Sequence, residues 1–245
     1  MQILDDLIAS LNFSTTVRDI RQGIFHTGVL TRHCGLAATL PRDVLCQEDS
    51  LVRQPGFLLR KTPRELARLC YSPKLLEAAI GMATINSLLT VDENRCCELN
   101  AAELIIQKGR DKRVAIVGHF PFISRVKHAA KETWIIEKNP QGNDASESEA
   151  GCLIPKADVV AITGSAFTNH TIEHLLRLCE PKAYVITLGD TAPLSTVLFE
   201  YGLDAISGTI VTDSKLALHC VSQGANFRQI QGVKRLTLYR NRGIL

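Results

Sequence analysis

The chain has 245 residues, of which 45% are hydrophobic and 22% charged, so it is long and apolar enough to form one large or two smaller globular domains. This composition excludes a disordered chain. The net charge of +3 is too small for the concentrated basic face of a nucleic-acid-binding protein, and we expect no nucleic-acid partner.

The amino terminus and the cysteines indicate where the protein works. Residues 1–6 are acidic and lack the basic start and apolar core of a signal peptide. No segment approaches the roughly 18 apolar residues that are needed to span a bilayer. The eight cysteines contain no C-x-x-C pair, which argues against a zinc ribbon and a disulfide-rich scaffold. We therefore expect a cytoplasmic protein with reduced core thiols and no membrane partner.

The first part of the chain predicts a mixed α+β arrangement. Apolar residues between Ile3 and Leu11 fall on one face of a short helix. Short apolar runs within residues 15–40 predict two or three antiparallel strands. Residues 62–65, Thr-Pro-Arg-Glu, predict a capped helix start. The nearly apolar segment 73–89 predicts a buried helix, and a third helix is expected over residues 98–108.

From residue 113 onward the pattern becomes α/β. Continuous apolar runs alternate with helical stretches such as 171–178 and 214–221, as in parallel sheets that are covered by helices on both faces. Residues 139–150, rich in Gly, Asn, Asp, Ser and Glu, predict a long loop over the sheet edge. We therefore expect a Rossmann-like parallel sheet. The predicted strands are 114–117, 134–136, 159–162, 184–186 and 205–206, with a closing strand at 236–239.

Polar or glycine-rich groups follow all five predicted parallel strands. In open parallel sheets, ligands bind beyond the carboxyl ends of the strands, where loops converge. Each group alone is also an ordinary turn or cap, but five at equivalent positions predict a ligand-binding rim. The residues are Gly118, His119, Phe120 and Pro121; Glu137, Asn139 and Asp144; Thr163, Gly164 and Ser165 running to Asn169; Gly189, Asp190 and Thr191; and Gly208 with Asp213.

Three histidine positions bear on metal binding. His119, directly after a predicted strand, is the best single candidate for a metal ligand or an acid/base group, and a structural role is an equal alternative. His170 and His174 have a spacing that can place two rings on one ion, although no Glu accompanies them as in H-E-x-x-H. His33 and Cys34 would point to opposite faces of a strand, so at most one of them could serve a site.

Other catalytic and cofactor motifs are weak. The turn after residue 117 has one glycine where the dinucleotide fingerprint needs three, so the chain has no standard NAD fingerprint. Residues 163–167 lack the second glycine of a nucleophile elbow. Cys96 and Cys97 are expected in the approach to a helix, where they pack rather than carry redox chemistry.

The strand-end motifs resemble a known family. The run from Val114 to Gly208, with Gly118-His119-Phe120-Pro121, Glu137-Lys138-Asn139-Pro140, Thr163-Gly164 and Gly189-Asp190-Thr191-Ala192-Pro193, resembles the family named "putative heavy-metal chelation". The resemblance covers most of residues 99–240 and is looser upstream, at 35–37 and 79–86. The chain departs from the family pattern at Asp190 and His170, where that pattern usually has Pro and often Gly. These changes bring a charge and an imidazole near the pocket.

The resemblance implies an organisation and a function. It implies an enolase amino-terminal-like domain over residues 1–98, a Rossmann-like domain over residues 99–245 and a pocket between them. Our leading hypothesis is that this pocket binds a small anionic ligand, a metal ion or a metal complex. The residues expected to supply metal ligands or polar contacts are His119, Glu137, Asp144 and Asp213, with His170 as a further metal candidate. The backbone donors at 164–168 and 189–191 are expected to hold an anionic group.

Two other functions stay open at this point. One is a transferase or lyase that uses a nucleotide or an S-adenosylmethionine-like cofactor at the same sheet edge, which only the Rossmann-like order favours. The other is a regulatory or scaffold protein whose loop at 139–150 contacts a partner. The expected cofactor is a divalent or heavy-metal ion, and the expected partner is a small-molecule or metal ligand. The sequence leaves open whether any reaction is catalysed and whether the chain forms a homodimer.

Overall fold

Two β-sheets organise the chain, and the computed structural model describes residues 1–40 and 51–240. Cys46 lies outside the described residues. The small sheet has three antiparallel strands in the order β1-β2-β3, as predicted. The elements of this part are α1 (Gln2–Ala9), β1 (Asp19–Gln22), β2 (His26–Leu30), β3 (Cys34–Ala38), α2 (Pro63–Ala67) and α3 (Leu75–Leu88), with 3-10 turns at Leu58–Arg60 and Arg68–Tyr71.

The capped start and the buried helix follow directly from the sequence. Thr62 Oγ1 accepts the Glu65 backbone N–H at 3.3 Å and the Glu65 carboxylate accepts the Thr62 N–H at 2.7 Å, which completes the capping box before α2. Helix α3 is apolar around most of its circumference and packs on β2 and β3. Gly81 lets it approach the Arg68–Tyr71 turn closely, because a Cβ there would lie 2.0 Å from the backbone nitrogen of Cys70.

Helix α3 also buries one carboxylate. The Glu77 side chain is 1% exposed and is bound by Arg53, whose guanidinium Nη2 lies 2.9 Å from Oε2. The backbone N–H of Arg53 and the hydroxyl of Ser72 donate to the same carboxylate at 2.7 and 2.6 Å. Burial alone would raise the pKa of Glu77, but these hydrogen bonds outweigh it and lower the pKa to about 2.

The large sheet has eight strands in the order β4-β11-β10-β9-β8-β5-β6-β7. Neighbouring strands are parallel from β10 to β7, whereas β11 pairs antiparallel with β10 and β4. This confirms the α/β fold class. The strands are β4 (Cys96–Cys97), β5 (Arg113–Val117), β6 (Glu132–Glu137), β7 (Ala145–Ser146), β8 (Val159–Thr163), β9 (Tyr184–Leu188), β10 (Ala205–Val211) and β11 (Val233–Tyr239).

Helices cover both faces of the large sheet. Along β8, Val160 and Ile162 join one apolar core, and Val159 and Ala161 join the other. This two-sided burial explains why the strands are continuous apolar runs rather than alternating ones. The helices are α4 (Ala101–Gly109), α5 (Ile123–Ala129), α6 (Ala150–Leu153), α7 (Ser165–Thr168), α8 (Ile172–Leu178) and α9 (Ser214–Ser222), with 3-10 turns at Glu93–Arg95, Glu147–Glu149, Ile154–Lys156 and Thr196–Tyr201.

Three local predictions were wrong. Cys96 and Cys97 form an edge strand rather than the approach to a helix, because they pair with Leu238 and Thr237 far along the chain. Helix α4 begins at Ala101 and not at residue 98, since the Asn100 side chain caps it by accepting the Ala102 N–H at 3.0 Å. The segment 139–150 is not all loop, because it contains β7 and a 3-10 turn. No helix in the described ranges is long and apolar enough to cross a bilayer.

Candidate functional site

The carboxyl edge of the large sheet contains a topological switch point. The chain passes from β5 outward to β6, whereas β8 returns to the other side of β5. Crevices form at such points in open α/β sheets and are the usual places for ligands. Gly118 follows β5 with φ of +107°, and a Cβ there would lie 3.0 Å from the Thr163 Cβ at the end of β8. The two turns therefore meet at the switch point.

His119 and Asp144 lie close together at this edge. His119 Nδ1 is 3.6 Å from Asp144 Oδ2, and the two side chains are 59% and 7% exposed. The loop holds Asp144 in place, since the Gln141 N–H donates to its Oδ2 at 3.2 Å and the Asp144 N–H donates to the Gln141 carbonyl at 3.1 Å. A solvent-accessible imidazole thus faces a fixed carboxylate.

The other predicted residues at this edge make no contact of this kind with His119 or Asp144. Glu137 ends β6, is half-buried and accepts the Lys138 N–H at 3.1 Å. In residues 1–40 and 51–240, no group of three or more His, Cys, Asp and Glu side chains is close enough to hold a metal ion. Phe120 stacks on Phe122 with ring centroids 5.2 Å apart, and Pro121 is exposed. The fold therefore brings His119 and Asp144 together, whereas Glu137 lies at the end of β6, the strand next to β5.

The turn after β9 is covered by the small sheet. His26, at the start of β2, places Nε2 2.8 Å from Asp190 Oδ2, and Thr209 on β10 donates its hydroxyl to Asp190 Oδ1 at 2.5 Å. Thr191 Oγ1 accepts the Ala38 N–H at 2.8 Å. The Asn86 side chain of α3 donates to the backbone carbonyls of Asp190 and Thr191, each at 3.3 Å. The polar groups predicted to meet a ligand here instead join the two sheets.

The rim therefore divides into two halves. We call Gly118–Pro121, Glu137, Asp144 and Thr163 the open rim, and Gly189–Thr191 with Gly208 the covered rim. Gly208 lets the β9 turn lie close to β10, since a Cβ there would lie 2.8 Å from the Ala192 carbonyl. Adjacent strands are about 4.8 Å apart, so Glu137 and Asp213, four strand intervals from each other, are separated by roughly 20 Å. One small ligand cannot contact both.

The predicted backbone donors are largely engaged. The Gly164 N–H donates to the Leu188 carbonyl at 2.7 Å, and the Gly189 N–H donates to the Ser207 carbonyl at 3.0 Å. A Cβ on Gly164 would lie 2.6 Å from the Ala192 nitrogen, so this glycine allows close approach of two turns. Sheet and loop hydrogen bonds therefore already use these two glycine amides, which are part of the anion-binding donors predicted at 164–168 and 189–191.

Three further candidates have structural contacts. Asn169 Oδ1 accepts both the N–H and the hydroxyl of Thr171. His170 has φ of +64° and precedes α8, so it does not share a helical face with His174. Its Nε2 lies 2.6 Å from the Cys70 carbonyl. The placement of both rings on one helical face, which their spacing suggested, was therefore wrong. Asp213 is exposed and caps α9 by accepting the Leu216 N–H at 3.0 Å.

Sequence reasoning missed His26, Asn86 and Thr209. His26 and Thr209 stand in no recognisable motif, and Asn86 lies only in the looser stretch of the resemblance at 79–86. His26 and Asn86 gain their contacts when the small sheet docks on the β9 turn. A weak signal was available at Asn86, which ends a nearly apolar helix. The predicted strand containing His33 was also wrong, since His33 is exposed and precedes β3, whereas Cys34 is buried.

The seven cysteines within residues 1–40 and 51–240 do not form a soft-metal site. Cys96 and Cys97 pack into opposite cores, so their thiols point to opposite faces of the sheet. Burial raises the pKa of Cys34, Cys70 and Cys179 to about 12, which keeps these three thiols protonated at neutral pH.

These environments predict unequal thiol reactivity. Cys152 is exposed on α6, so iodoacetamide at pH 8 is expected to modify it well before Cys34, Cys70 or Cys179. Peptide mapping by mass spectrometry at increasing times checks this order. The same reaction in 6 M guanidinium is the control, because unfolding removes the burial. Fast modification of Cys70 in the folded protein would contradict the described core.

An open depression of about 680 Å³ lies on the opposite, amino-terminal side of the sheet. It contains none of the residues that the sequence predicts for a site. Arg240 partly closes it by donating to the Phe199 carbonyl. The residues lining it are Arg95, Thr196, Val197, Phe199, Glu200 and Arg240. The chemistry at the switch point, rather than this depression, therefore defines the candidate site.

Comparison with known proteins supports the resemblance. One family model matches residues 4–89 and another matches residues 100–240, and both carry the description "putative heavy-metal chelation". The second match alone spans more than half of the chain. The chain belongs to the family that carries this description, "putative heavy-metal chelation". An uncharacterized protein of Methanocaldococcus jannaschii is 26% identical over 167 residues, which are 65% of this chain and 64% of that protein. The chain thus spans less than two thirds of this curated relative.

Two solved structures show the fold of the heavy-metal chelation family. A protein of unknown function from Desulfitobacterium hafniense is 24% identical, with a TM-score of 0.83 over 98% of both chains. A second one, from Pyrococcus horikoshii, is 21% identical, with a TM-score of 0.83 over 97% of this chain and 99% of that chain. Both belong to the family that matches residues 100–240. At these identities the likeness establishes the fold alone.

Proposed function

We propose that the chain binds a divalent metal ion, carried in a small chelate complex, at the open rim beside the small sheet. The observation that supports this most is the pair formed by His119 Nδ1 and Asp144 Oδ2, 3.6 Å apart at the switch point. Two donors bound to one tetrahedral ion at 2.0–2.2 Å stand about 3.4 Å from each other. The pair therefore has nearly the separation of two ligands on one ion.

The donor set favours a borderline metal ion. An imidazole nitrogen and a carboxylate oxygen suit Zn²⁺, Ni²⁺, Co²⁺ or Cu²⁺, whereas the softest ions prefer thiolates. No described cysteine belongs to the open rim. His119 is the more accessible donor, and the hydrogen bond from Gln141 orients Asp144, as second-layer contacts orient metal ligands. The residues thus fit part of a coordination sphere.

The incomplete donor set favours a complex over a free ion. Protein metal sites use three or four side chains, and here two donors face each other with Glu137 at the neighbouring strand end. A chelator would fill the positions that the protein leaves open. The exposed side of His119 gives room for it.

The domain division is part of the same proposal. We place an enolase amino-terminal-like domain at residues 1–98 and a Rossmann-like domain at 99–245, with the ligand cleft where they meet. The two family matches, ending at 89 and starting at 100, support a boundary in this interval. The docking of the small sheet on the covered rim supports a cleft beside the switch point.

Calorimetry tests the proposal. We expect nickel nitrilotriacetate to bind the wild type and to bind His119→Ala and Asp144→Asn about 10- to 100-fold more weakly. His128→Ala is the matched control, because His128 is also exposed but lies on α5, where its Nδ1 contacts the Ser124 carbonyl. Titration with nickel chloride measures the affinity for the free ion. Equal heats for wild type and both site variants would contradict metal binding, and stronger binding of the free ion would contradict the complex.

A further inference from the structure

A buried cluster of four segments lies outside the proposed metal site. His26 of β2 and Asp190 of the β9 turn are 5% and 1% exposed in their side chains, with Nε2 and Oδ2 2.8 Å apart. His26 Nδ1 lies 3.2 Å from the Ala225 carbonyl, beyond α9. Asp190 Oδ1 accepts the Thr209 hydroxyl of β10 at 2.5 Å. We call these four residues the latch.

The contacts of the latch fix how many protons it holds. The Ala225 carbonyl only accepts, so Nδ1 must carry a hydrogen to bond it. The contact between Nε2 and Asp190 needs a second hydrogen, on either the ring or the carboxyl group. A neutral imidazole beside an ionised carboxylate supplies only one of the two. The geometry is therefore satisfied by imidazolium with carboxylate, or by imidazole with carboxylic acid.

We propose that the latch is a proton-dependent connection between the small sheet and the β9 turn, which loosens when the pH is raised. Loss of one proton leaves either the Ala225 carbonyl or Asp190 Oδ2 facing a ring lone pair. The His26 ring is 5% exposed and the Asp190 side chain 1% exposed, so water cannot replace the missing donor at the ring without local opening. Opening would separate β2 from the turn and expose the covered rim.

Charged side chains on the surrounding elements make contacts of their own. On β11, Arg235 pairs in register with Thr209, and its guanidinium donates to the Phe227 carbonyl. On β1, Asp19 and Arg21 pair with each other at 3.0 Å. On α9, Asp213 caps the helix start and His219 is exposed. β10 contributes the Thr209 hydroxyl. Among residues 1–40 and 51–240, Asp190 is the only ion-pair partner of His26. The proton count of this pair therefore governs the contact.

Hydrogen exchange measured by mass spectrometry tests the proposal. We expect amides in residues 24–30 and 189–193 to lose protection by about tenfold between pH 6 and 9, after correction for intrinsic exchange, while α4 stays protected. His26→Gln should remove this pH dependence. His33→Gln, which removes an exposed imidazole, should retain it. A pH response that is the same in wild type and His26→Gln would overturn the latch.

A second measurement does not depend on a variant that folds. Nitrogen-15 spectra of the wild-type histidines report how many ring nitrogens carry hydrogen. We expect His26 to show two slowly exchanging ring N–H groups, or one together with a protonated Asp190 carboxyl, at pH 6. A single ring N–H beside an ionised Asp190 at pH 6 would overturn the proposal. Metal titration as above leaves these signals unchanged, so the two proposals fail separately.

Discussion

Replacing Arg53 by Ala is expected to destabilise the fold at pH 7 by more than the loss of an exposed ion pair does, because it leaves the buried Glu77 carboxylate without its cation. Glu77 is 1% exposed, and Arg53 makes most of its hydrogen bonds. The effect should exceed that of Glu77→Gln, which removes the charge together with its need for a partner. Urea unfolding followed by the fluorescence of Trp134, the sole tryptophan, measures the free energy of unfolding.

The same pair predicts a pH dependence. The folded-state pKa of Glu77, about 2, lies below its ordinary value of 4.5, so the pair stabilises the fold fully above pH 4.5. The stabilisation by Arg53 and Ser72 together is therefore lost as the pH falls from 4.5 toward 2. In Arg53→Ala the carboxyl group protonates more readily, so the difference from wild type should shrink in acid.

A surface pair provides the control for Arg53. Arg125 and Glu103 are 2.6 Å apart, but their side chains are 54% and 49% exposed. Arg125→Ala should therefore cost less than about 1 kcal/mol at any pH. If Arg53→Ala cost no more than Arg125→Ala, or if its effect did not shrink below pH 4.5, the buried role of Glu77 would be wrong.

Replacing Gly81 by Ala should destabilise the protein by about 3 kcal/mol or prevent folding, because overpacking a buried contact shifts the backbone. The added Cβ would lie 2.0 Å from the Cys70 nitrogen and 2.6 Å from the Leu69 carbonyl carbon, and neither atom can rotate away. Helix α3 must then move off the Arg68–Tyr71 turn. Thermal unfolding by circular dichroism measures the loss.

Gly151→Ala is the matched control for this substitution. Gly151 lies in α6, and nothing lies within 4 Å of a Cβ built there. The change should be neutral or stabilise by up to about 1 kcal/mol, since Ala favours the helix. A Gly81→Ala protein as stable as Gly151→Ala would show that α3 and the turn are farther apart than described.

The architecture was predictable where local patterns decide it. Apolar runs such as 114–117 and 159–162 are buried on both faces, so their length and spacing alone indicate a parallel sheet. The capping box at 62–65 is likewise formed by consecutive residues, so the local sequence is enough to predict it. By contrast, β4 has two residues and exists only because β11 pairs with it. No local pattern carries information about such a partner.

The candidate site was predictable in part for the same reason. That His119 and Asp190 follow strands could be inferred from the apolar runs before them. Which half of the rim is covered depends on how the small sheet docks, and that contact is made by His26 and Asn86, far away in the chain. Asp190 therefore resembled an available ligand in the sequence, whereas its carboxylate is buried against an imidazole.

The connections between the sheets bear on how the chain could be divided. The large sheet by itself would keep Asp190 without His26 and would lose Ala38 and Asn86 as donors to the β9 turn. At the amino terminus of the chain, the Ile3 N–H donates to the Glu173 carboxylate of α8, a second connection between the two parts. A gene cut between residues 89 and 96 would therefore yield two fragments that are each incomplete. Each fragment would be stable only when bound to the other, as in split proteins whose two halves fold by association.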